Sequence, residues 1–378
     1  MTAGTIFDGG TLFGFPHSYY TVIAVSYLRK QGAVYDAASA RHPSFEQEIV
    51  PQIGRRIVPV FRLSDGTVVQ DSLDIIELGE ANTPRLPATP SDLRQRLLSA
   101  LFFTYGSQAL LKPAMHYRWS FYEQQSAFLD HAFGLTGGGE QAGKVMDKMR
   151  SYLPGLGVTP ETIPTVEAHF EALLKALDAH FAKSAFLFGG QPSVGDYGMF
   201  GPLFAHLGRD PVPETLMKKI APNVFAWIER MYSPLPDTYD IKGPSGFYED
   251  GQLPDSLVDV LKVIGADYGP ELTDRLDFLA GHIEQTAPKP GDPVSERPSQ
   301  RMVGMTPVRY GDARPTVAVQ PYLLYCINRV RDAFAKMGQD DQAWASQFLS
   351  QFGLNAAIDH PLPMTVGRAN HIEVWEAN

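Results

Sequence analysis

The first residues that could do chemistry lie near the start of the chain, where four hydrogen-bonding side chains occur together: His17, Ser18, Tyr19 and Tyr20. They directly precede an apolar segment with helical spacing. Polar residues in that place commonly cap a helix by accepting hydrogen bonds from its free N–H groups. A hydroxyl group there can instead donate a hydrogen bond to an anion bound near the positive end of the helix. The residue types leave both roles open.

A second candidate site is formed by Asp71 and Ser72, at the start of the amphipathic segment DSLDIIELGEA. Asp and Ser are common N-caps, so a purely structural role is one interpretation. In the other, free N–H groups and the positive helix end attract a carboxylate, while the acidic side chain binds an ammonium group. A ligand that carries both charges would suit this position.

The Val58-Pro59 pair is a candidate for a cis peptide bond. An X-Pro bond is the one place where the cis form costs little, about 0.5–1 kcal/mol. A cis bond would turn the backbone N–H and C=O of Val58 outward at a strand edge, where an extended peptide can pair with them. The structural alternative is a trans proline on an edge strand.

Ser193 and Asp196 have the spacing of a capping box, with Asp where Glu or Gln is usual. We predict that they fix the start of a buried helix and form no binding site.

The elements that must position these residues follow from sequence patterns that change along the chain. Residues 5–80 alternate strand and helix signals and predict a small α/β unit, including a hairpin turn at Ser64-Asp65-Gly66. Residues 82–92 are rich in proline and read as a linker. Long segments with helical spacing predict an all-helical region up to about residue 234. Further helical segments, an exposed polar loop and a strand-like end make up 235–378.

Composition excludes several classes of partner. The chain has 378 residues, enough for two or three domains, and its net charge of −10 argues against nucleic acid and anionic membranes as partners. The single cysteine, Cys326, excludes internal disulfides and cysteine-based metal clusters, and it suits a cytoplasmic location. The ten histidines show no HxxxH or HxH spacing, so we expect no metal. We also see no signal peptide and no membrane-spanning segment.

Three segments together resemble the glutathione transferase family over about residues 10–235. GFPHSYYTVIAVSYLRKQGAVYD is similar to its first strand, active-site turn and helix, and RRIVPVFRLSDGTVVQDSLDII to its Val-Pro segment and acidic-Ser pair. FLFGGQPSVGDYGMFGPL resembles its Ser-x-x-Asp cap. The run KPAMHYRWSFYE is similar to bacterial members with long C-terminal segments.

The resemblance implies a fold class of α/β plus all-α in three parts. Residues 1–83 would be a thioredoxin-like glutathione-binding domain, and 92–234 the all-helical C-terminal domain of the family. Residues 235–378 would be a mainly helical extension. Because isolated helices of this size are marginal in water, we expect the extension to pack on the helical domain.

The resemblance also implies a glutathione site. Val58, in a cis bond with Pro59, and the Asp71-Ser72 pair would bind glutathione, whose γ-glutamyl end carries both an ammonium and a carboxylate. Ser18 would be the thiol-activating residue. Since Tyr19 stands where many relatives have proline, the hydroxyl of Tyr19 or Tyr20 is a rival donor, and an absence of thiol activation is the third alternative. No cysteine in this turn supports thiol–disulfide chemistry.

A second substrate would lie against the helical domain. The candidates for its pocket are four residues on one aromatic helical segment: Tyr105, His116, Tyr117 and Trp119. Aromatic residues at helical spacing are more often core, and that alternative is strongest for Trp119. An aromatic wall suits a small apolar or aromatic electrophile.

Two functions are consistent with these features. The first is a glutathione-dependent transferase that activates the glutathione thiolate for attack on an apolar or aromatic electrophile. The second is a non-catalytic module of the same fold that binds glutathione or serves in assembly. The resemblance further implies a homodimer.

Overall fold

The computed structural model describes residues 4–137, 139–235, 241 and 243–378. An N-terminal α/β unit comes first, with the elements β1 (Thr11–Gly14), α1 (Tyr19–Gln31), β2 (Asp36–Ser39), α2 (Val50–Ile53), β3 (Val60–Arg62), β4 (Val68–Gln70) and α3 (Ser72–Ala81). A π-helical turn, Phe45–Ile49, precedes α2. The strands form one mixed sheet in the order β2-β1-β3-β4, with β1 parallel to β2 and β3 antiparallel to both of its neighbours.

Helices follow up to residue 232: α4 (Leu93–Thr104), α5 (Leu111–Ser120), α6 (Tyr122–Gly137), α7 (Gly139–Arg150), α8 (Ile163–Phe181), α9 (Val194–Ala205), α10 (Pro211–Ile220) and α11 (Pro222–Tyr232). A π-helical turn, Tyr105–Ala109, joins α4 to α5. The predicted fold class, an α/β unit followed by helices and a mainly helical final part, is confirmed. No helix in the described ranges combines the length and apolar composition needed to cross a bilayer.

The remaining elements are α12 (Asp255–Thr286), β5 (Gly304–Pro307), β6 (Thr316–Val319), α13 (Tyr322–Ala335), α14 (Gln339–Ser350), α15 (Ala356–Asp359), β7 (Met364–Ala369) and β8 (Ile372–Ala377). Two features differ from the sequence prediction. Residues 304–319, for which the sequence predicts no element, form the antiparallel pair β5–β6. The strand-like end is a hairpin of two strands, because Asn370 and His371 adopt φ values of 47° and 66° and form a two-residue turn.

Local signals position the start of α1 as its sequence predicts. Ser18 is the N-cap, with its side-chain oxygen 3.3 Å from the N–H of Thr21. The helix ends at Gly32, whose φ of 71° lies in the left-handed region, and its N–H bonds to the carbonyl of Arg29. The capping box of Ser193 and Asp196 at the start of α9 is likewise confirmed, with both reciprocal bonds present.

The final part of the chain shares its core with the helices before it. Helix α12 packs along α8, and α13 packs along α4. Their buried residues, among them Leu272, Leu276 and Leu324, belong to the same apolar cluster as Leu101 and Leu173.

A buried ionic group also joins α12 to α5. The Lys112 Nζ lies 2.5 Å from Glu271 Oε2, and the Arg275 guanidinium lies 2.6 Å from Glu271 Oε1. Burial alone would raise the pKa of Glu271, but the two cations lower it to about 2. Glu271 is therefore ionised throughout the neutral range, inside the protein.

Candidate active site

A cavity of about 640 Å³ lies between the N-terminal unit and the helices. On one side are the loop after β1 and the segment before β3. On the other side are α5, α6 and α7. Residues from both sides line it: Phe15, His17, Ser18, Tyr19, Ala40, Arg41, Phe45, Arg56, Ile57, Val58, Leu111, Met115, Arg118, Trp119, Phe133, Gln141, Val145, Met149 and His206. The lining is mostly apolar, as in pockets that bind small organic molecules.

Ser18 is both a cap and a cavity residue. Its oxygen accepts the hydrogen bond from Thr21 that begins α1, and the residue lines the cavity. A hydroxyl group that accepts one hydrogen bond keeps its own hydrogen for donation to another group. The two roles that the sequence leaves open for this residue are therefore compatible.

The neighbouring tyrosines have less freedom to donate. The Tyr19 hydroxyl donates to the carbonyl of Gly106, and burial raises the pKa of Tyr19 well above its ordinary value. The Tyr20 hydroxyl donates to the carbonyl of Ser107 at 3.2 Å, and burial raises its pKa to about 12. Both hydroxyl hydrogens are committed to backbone carbonyls.

His17 lies in the cavity between aromatic rings. Its ring centroid is 5.7 Å from that of Phe15 and 4.4 Å from that of Phe133. Burial, followed by the charge of Arg118, lowers the pKa of His17 to about 4. The imidazole is therefore neutral at pH 7 and adds no cation to the cavity.

The Val58–Pro59 peptide bond is cis, which confirms the prediction from the sequence. Val58 and the preceding Ile57 line the cavity. They also line a small cleft, together with Tyr20, Pro59, Asp71, Arg301, Tyr322 and Glu373. That cleft has a volume of about 20 Å³, which is room for one water molecule.

Asp71 and Ser72 lie next to this cleft, and the C-terminal hairpin covers them. Asp71 is the N-cap of α3, with its Oδ1 3.1 Å from the N–H of Leu73. Its Oδ2 lies 3.2 Å from the guanidinium of Arg368, which also binds Asp74. Ser72 is only 1% exposed. The structure therefore brings Val58, Pro59 and Asp71 together, but it pairs Asp71 with a residue that the sequence analysis did not select.

Part of the chain is similar to known proteins. Residues 160–230 match the sequence model described as "Glutathione S-transferase, C-terminal domain". The match lies within the helical part of the chain. The resemblance stated from the sequence is thereby confirmed. No curated protein matches the chain.

Several solved structures are similar in part to the chain. A glutathione S-transferase from Xanthobacter autotrophicus Py2 is 18% identical, with 62% of this chain and 97% of that chain covered and a TM-score of 0.36. A glutathione transferase family member from Pseudomonas fluorescens Pf-5, with bound glutathione, is 16% identical, with coverages of 62% and 100% and a TM-score of 0.34. The beta-etherase LigF from Sphingobium sp. strain SYK-6 is 17% identical, with coverages of 59% and 94% and a TM-score of 0.43.

Not all four residues predicted for the second-substrate pocket border the cavity. Of the four predicted residues only Trp119 lines the cavity. The Tyr105 hydroxyl bonds to Asp267 at 2.7 Å, and the residue is 1% exposed. His116 and Tyr117 are also buried, with His116 Nε2 3.0 Å from Glu167.

The physical reason is the helical phase of α5. Leu111, Met115 and Trp119 follow one another at intervals of four residues and so share the face that borders the cavity. His116 and Tyr117 lie on other faces of the same helix. Phe133, Val145 and Met149 on α6 and α7 complete the apolar wall, and the sequence analysis did not select them.

Proposed function

We propose that the chain is a glutathione-dependent transferase, with the electrophile bound in the 640 Å³ cavity and the thiol beside Ser18. The family supports a glutathione-binding transferase in general terms. The observation that carries the finer proposal is the position of Ser18, which caps α1 on the wall of a mostly apolar cavity. The apolar wall suits a small apolar or aromatic electrophile.

The chemistry requires a thiolate. A free thiol has a pKa near ~8.5, so only a few per cent is ionised at neutral pH. Lowering this pKa by about two units needs roughly 2.7 kcal/mol of preferential stabilisation of the anion. A hydrogen bond from Ser18 and the positive end of α1 would together supply it. The sulfur would then form a bond to the electrophilic carbon, the leaving group would depart with its electron pair, and the thiol proton would pass to solvent.

The first test is the variant Ser18→Ala. Because hydrogen bonds to charged groups are worth about 1.5–3 kcal/mol, we expect the pKa of bound glutathione to rise by about one to two units. Thiolate absorbance measured against pH reports this value. The matched control is Asp92→Ala, which removes the N-cap of α4 away from the cavity. It should cost about 1 kcal/mol of stability and leave the titration unchanged. An unchanged curve for Ser18→Ala would reject Ser18 and leave Tyr19 or no activation.

One observation favours a second candidate, a non-catalytic module of the same fold that binds glutathione or serves in assembly. Asp71, proposed to bind glutathione with Val58, Pro59 and Ser72, is already paired with Arg368. A rise in melting temperature with glutathione, without turnover on a broad panel of electrophiles, would select this candidate.

The proposal also includes the domain bounds, the cellular location and the oligomeric state of the protein. The domains 1–83, 92–234 and 235–378 and a cytoplasmic location are part of it. A homodimer is also proposed. We expect light scattering at micromolar concentration to give twice the chain mass of 41.7 kDa. A mass of one chain would contradict the dimer.

A further inference from the structure

The β7–β8 hairpin carries a cation and a carboxylate side by side. Arg368 and Glu373 are directly opposite each other in the strand register. The Arg368 guanidinium lies 3.1 Å from Glu373 Oε1. The two-residue turn at Asn370 and His371 holds this pair at the tip of the hairpin. The tip therefore presents the two charges that an α-amino acid carries on its ammonium and carboxylate groups.

The tip is bound by charged groups of the N-terminal unit. Arg368 binds the carboxylates of Asp71 and Asp74 at the start of α3. Glu373 receives two hydrogen bonds from the Arg55 guanidinium, at 2.5 and 2.8 Å.

Backbone contacts of the turn complete the attachment. Both Gln70 and Arg55 donate to the carbonyl of His371, at 2.6 and 3.1 Å. The side chains of Arg55, Glu373 and Arg368 are only 3%, 7% and 9% exposed. The hairpin tip is thus enclosed in the N-terminal unit rather than resting on its surface.

The charges around the tip match those that an amino-acid head group needs. An ammonium group would bind the carboxylate of Asp71, and a carboxylate would be attracted by the positive start of α3 and by a nearby cation such as Arg55. With the hairpin in place, the space beside Asp71, Val58 and Pro59 is about 20 Å³. A γ-glutamyl group does not fit in the volume of one water molecule.

We propose that Arg368 and Glu373 are a built-in occupant of the head-group position, so that glutathione binds only by displacing the β7–β8 hairpin. This inference rests on the proposed function. The cavity beside Ser18 is separate from the occupied position and remains about 640 Å³ in volume. A thiol without an amino-acid head group can therefore reach Ser18 while the hairpin stays bound, and the hairpin determines which thiols bind well.

The test compares two thiols by isothermal titration calorimetry. One is glutathione, and the other is N-acetylcysteinylglycine, in which an acetyl group replaces the γ-glutamyl group. When the hairpin occupies the position, the apparent affinity for glutathione is the intrinsic affinity multiplied by the fraction of molecules in which the hairpin is displaced. Because Arg368→Ala removes ion pairs that hold the hairpin, it should increase that fraction and tighten glutathione binding by about tenfold or more. The affinity for N-acetylcysteinylglycine should not change. The matched control is Arg329→Ala, which removes an ion pair between α13 and Glu77 of α3 and should alter neither affinity.

Hydrogen–deuterium exchange on the unaltered chain gives a second measurement that does not depend on the variant folding. Glutathione should increase exchange at the backbone amides of 364–377, whereas N-acetylcysteinylglycine should not. Equal glutathione affinity in the unaltered chain and Arg368→Ala, or a hairpin that stays protected in the glutathione complex, would overturn the inference and leave the proposed function standing. Failure of both thiols to bind any form would overturn both.

Discussion

Replacing Glu271 by alanine is expected to lower the free energy of unfolding by about 3–5 kcal/mol, because it leaves two cations without their buried partner. Lys112 is nearly as buried as Glu271, and both it and Arg275 bind the same carboxylate. Urea unfolding monitored by circular dichroism measures the change. The matched control is Glu284→Ala on the exposed side of the same helix, which should change stability by less than about 0.5 kcal/mol.

The same carboxylate, that of Glu271, should make the stability of the protein depend on pH. The pKa of Glu271 is about 2 in the folded protein, below its ordinary value of 4.5. A depressed pKa contributes stability above the unfolded-state value, and that stability is lost as pH falls from about 4.5 towards 2. The difference in stability between the unaltered chain and Glu271→Ala should therefore shrink over that range. A Glu271→Ala variant within about 1 kcal/mol of the unaltered chain at pH 7 would show that the ionic group contributes little.

A chain ending at residue 234 is expected to aggregate rather than fold to a monodisperse protein. The cut removes α12 and α13, which cover α8 and α4. Leucines such as Leu101 and Leu173 lie in the same apolar cluster as leucines of the removed helices. Each such side chain that becomes exposed costs about 1.5–3 kcal/mol, so a few of them exceed the stability of a typical domain.

Size-exclusion chromatography and thermal unfolding of the shortened chain measure this effect. Limited proteolysis of the full chain is the control, since it breaks the backbone without removing the covering helices. We expect the first cuts in the exposed part of 286–300 and fragments that still elute together. A soluble, monodisperse 1–234 as stable as the full chain would contradict the proposed packing role of the extension.

The features that the sequence predicted correctly are those decided by neighbouring residues. The cap at Ser18, the cis bond before Pro59 and the capping box of Ser193 each depend on a few consecutive positions. The sequence did not predict which face of α5 borders the cavity. Every residue of this helix from Lys112 to Trp119 is buried, including the polar residues Lys112, His116 and Arg118, so residue polarity does not show which side borders the cavity.

The hairpin site could not be predicted for a related reason. Asp71 and Arg368 are 297 residues apart, and charged residues at such a separation leave no periodic pattern. The alternation around Arg368 indicated a strand, but a two-residue turn without glycine gave no hairpin signal. Ion pairing between distant segments depends on the packing of the whole chain.

The pairing of Arg55 with Glu373 has a consequence for biosynthesis. The two residues are separated by 318 positions. At about 5–20 residues per second, the ribosome would add the second on the order of tens of seconds after the first. During that interval the N-terminal unit can form its sheet, but Arg55, Asp71 and Asp74 have not yet met their partners on the hairpin. The nascent unit therefore passes through a stage in which the position beside Asp71 is uncovered, and that position closes only when the hairpin has been translated.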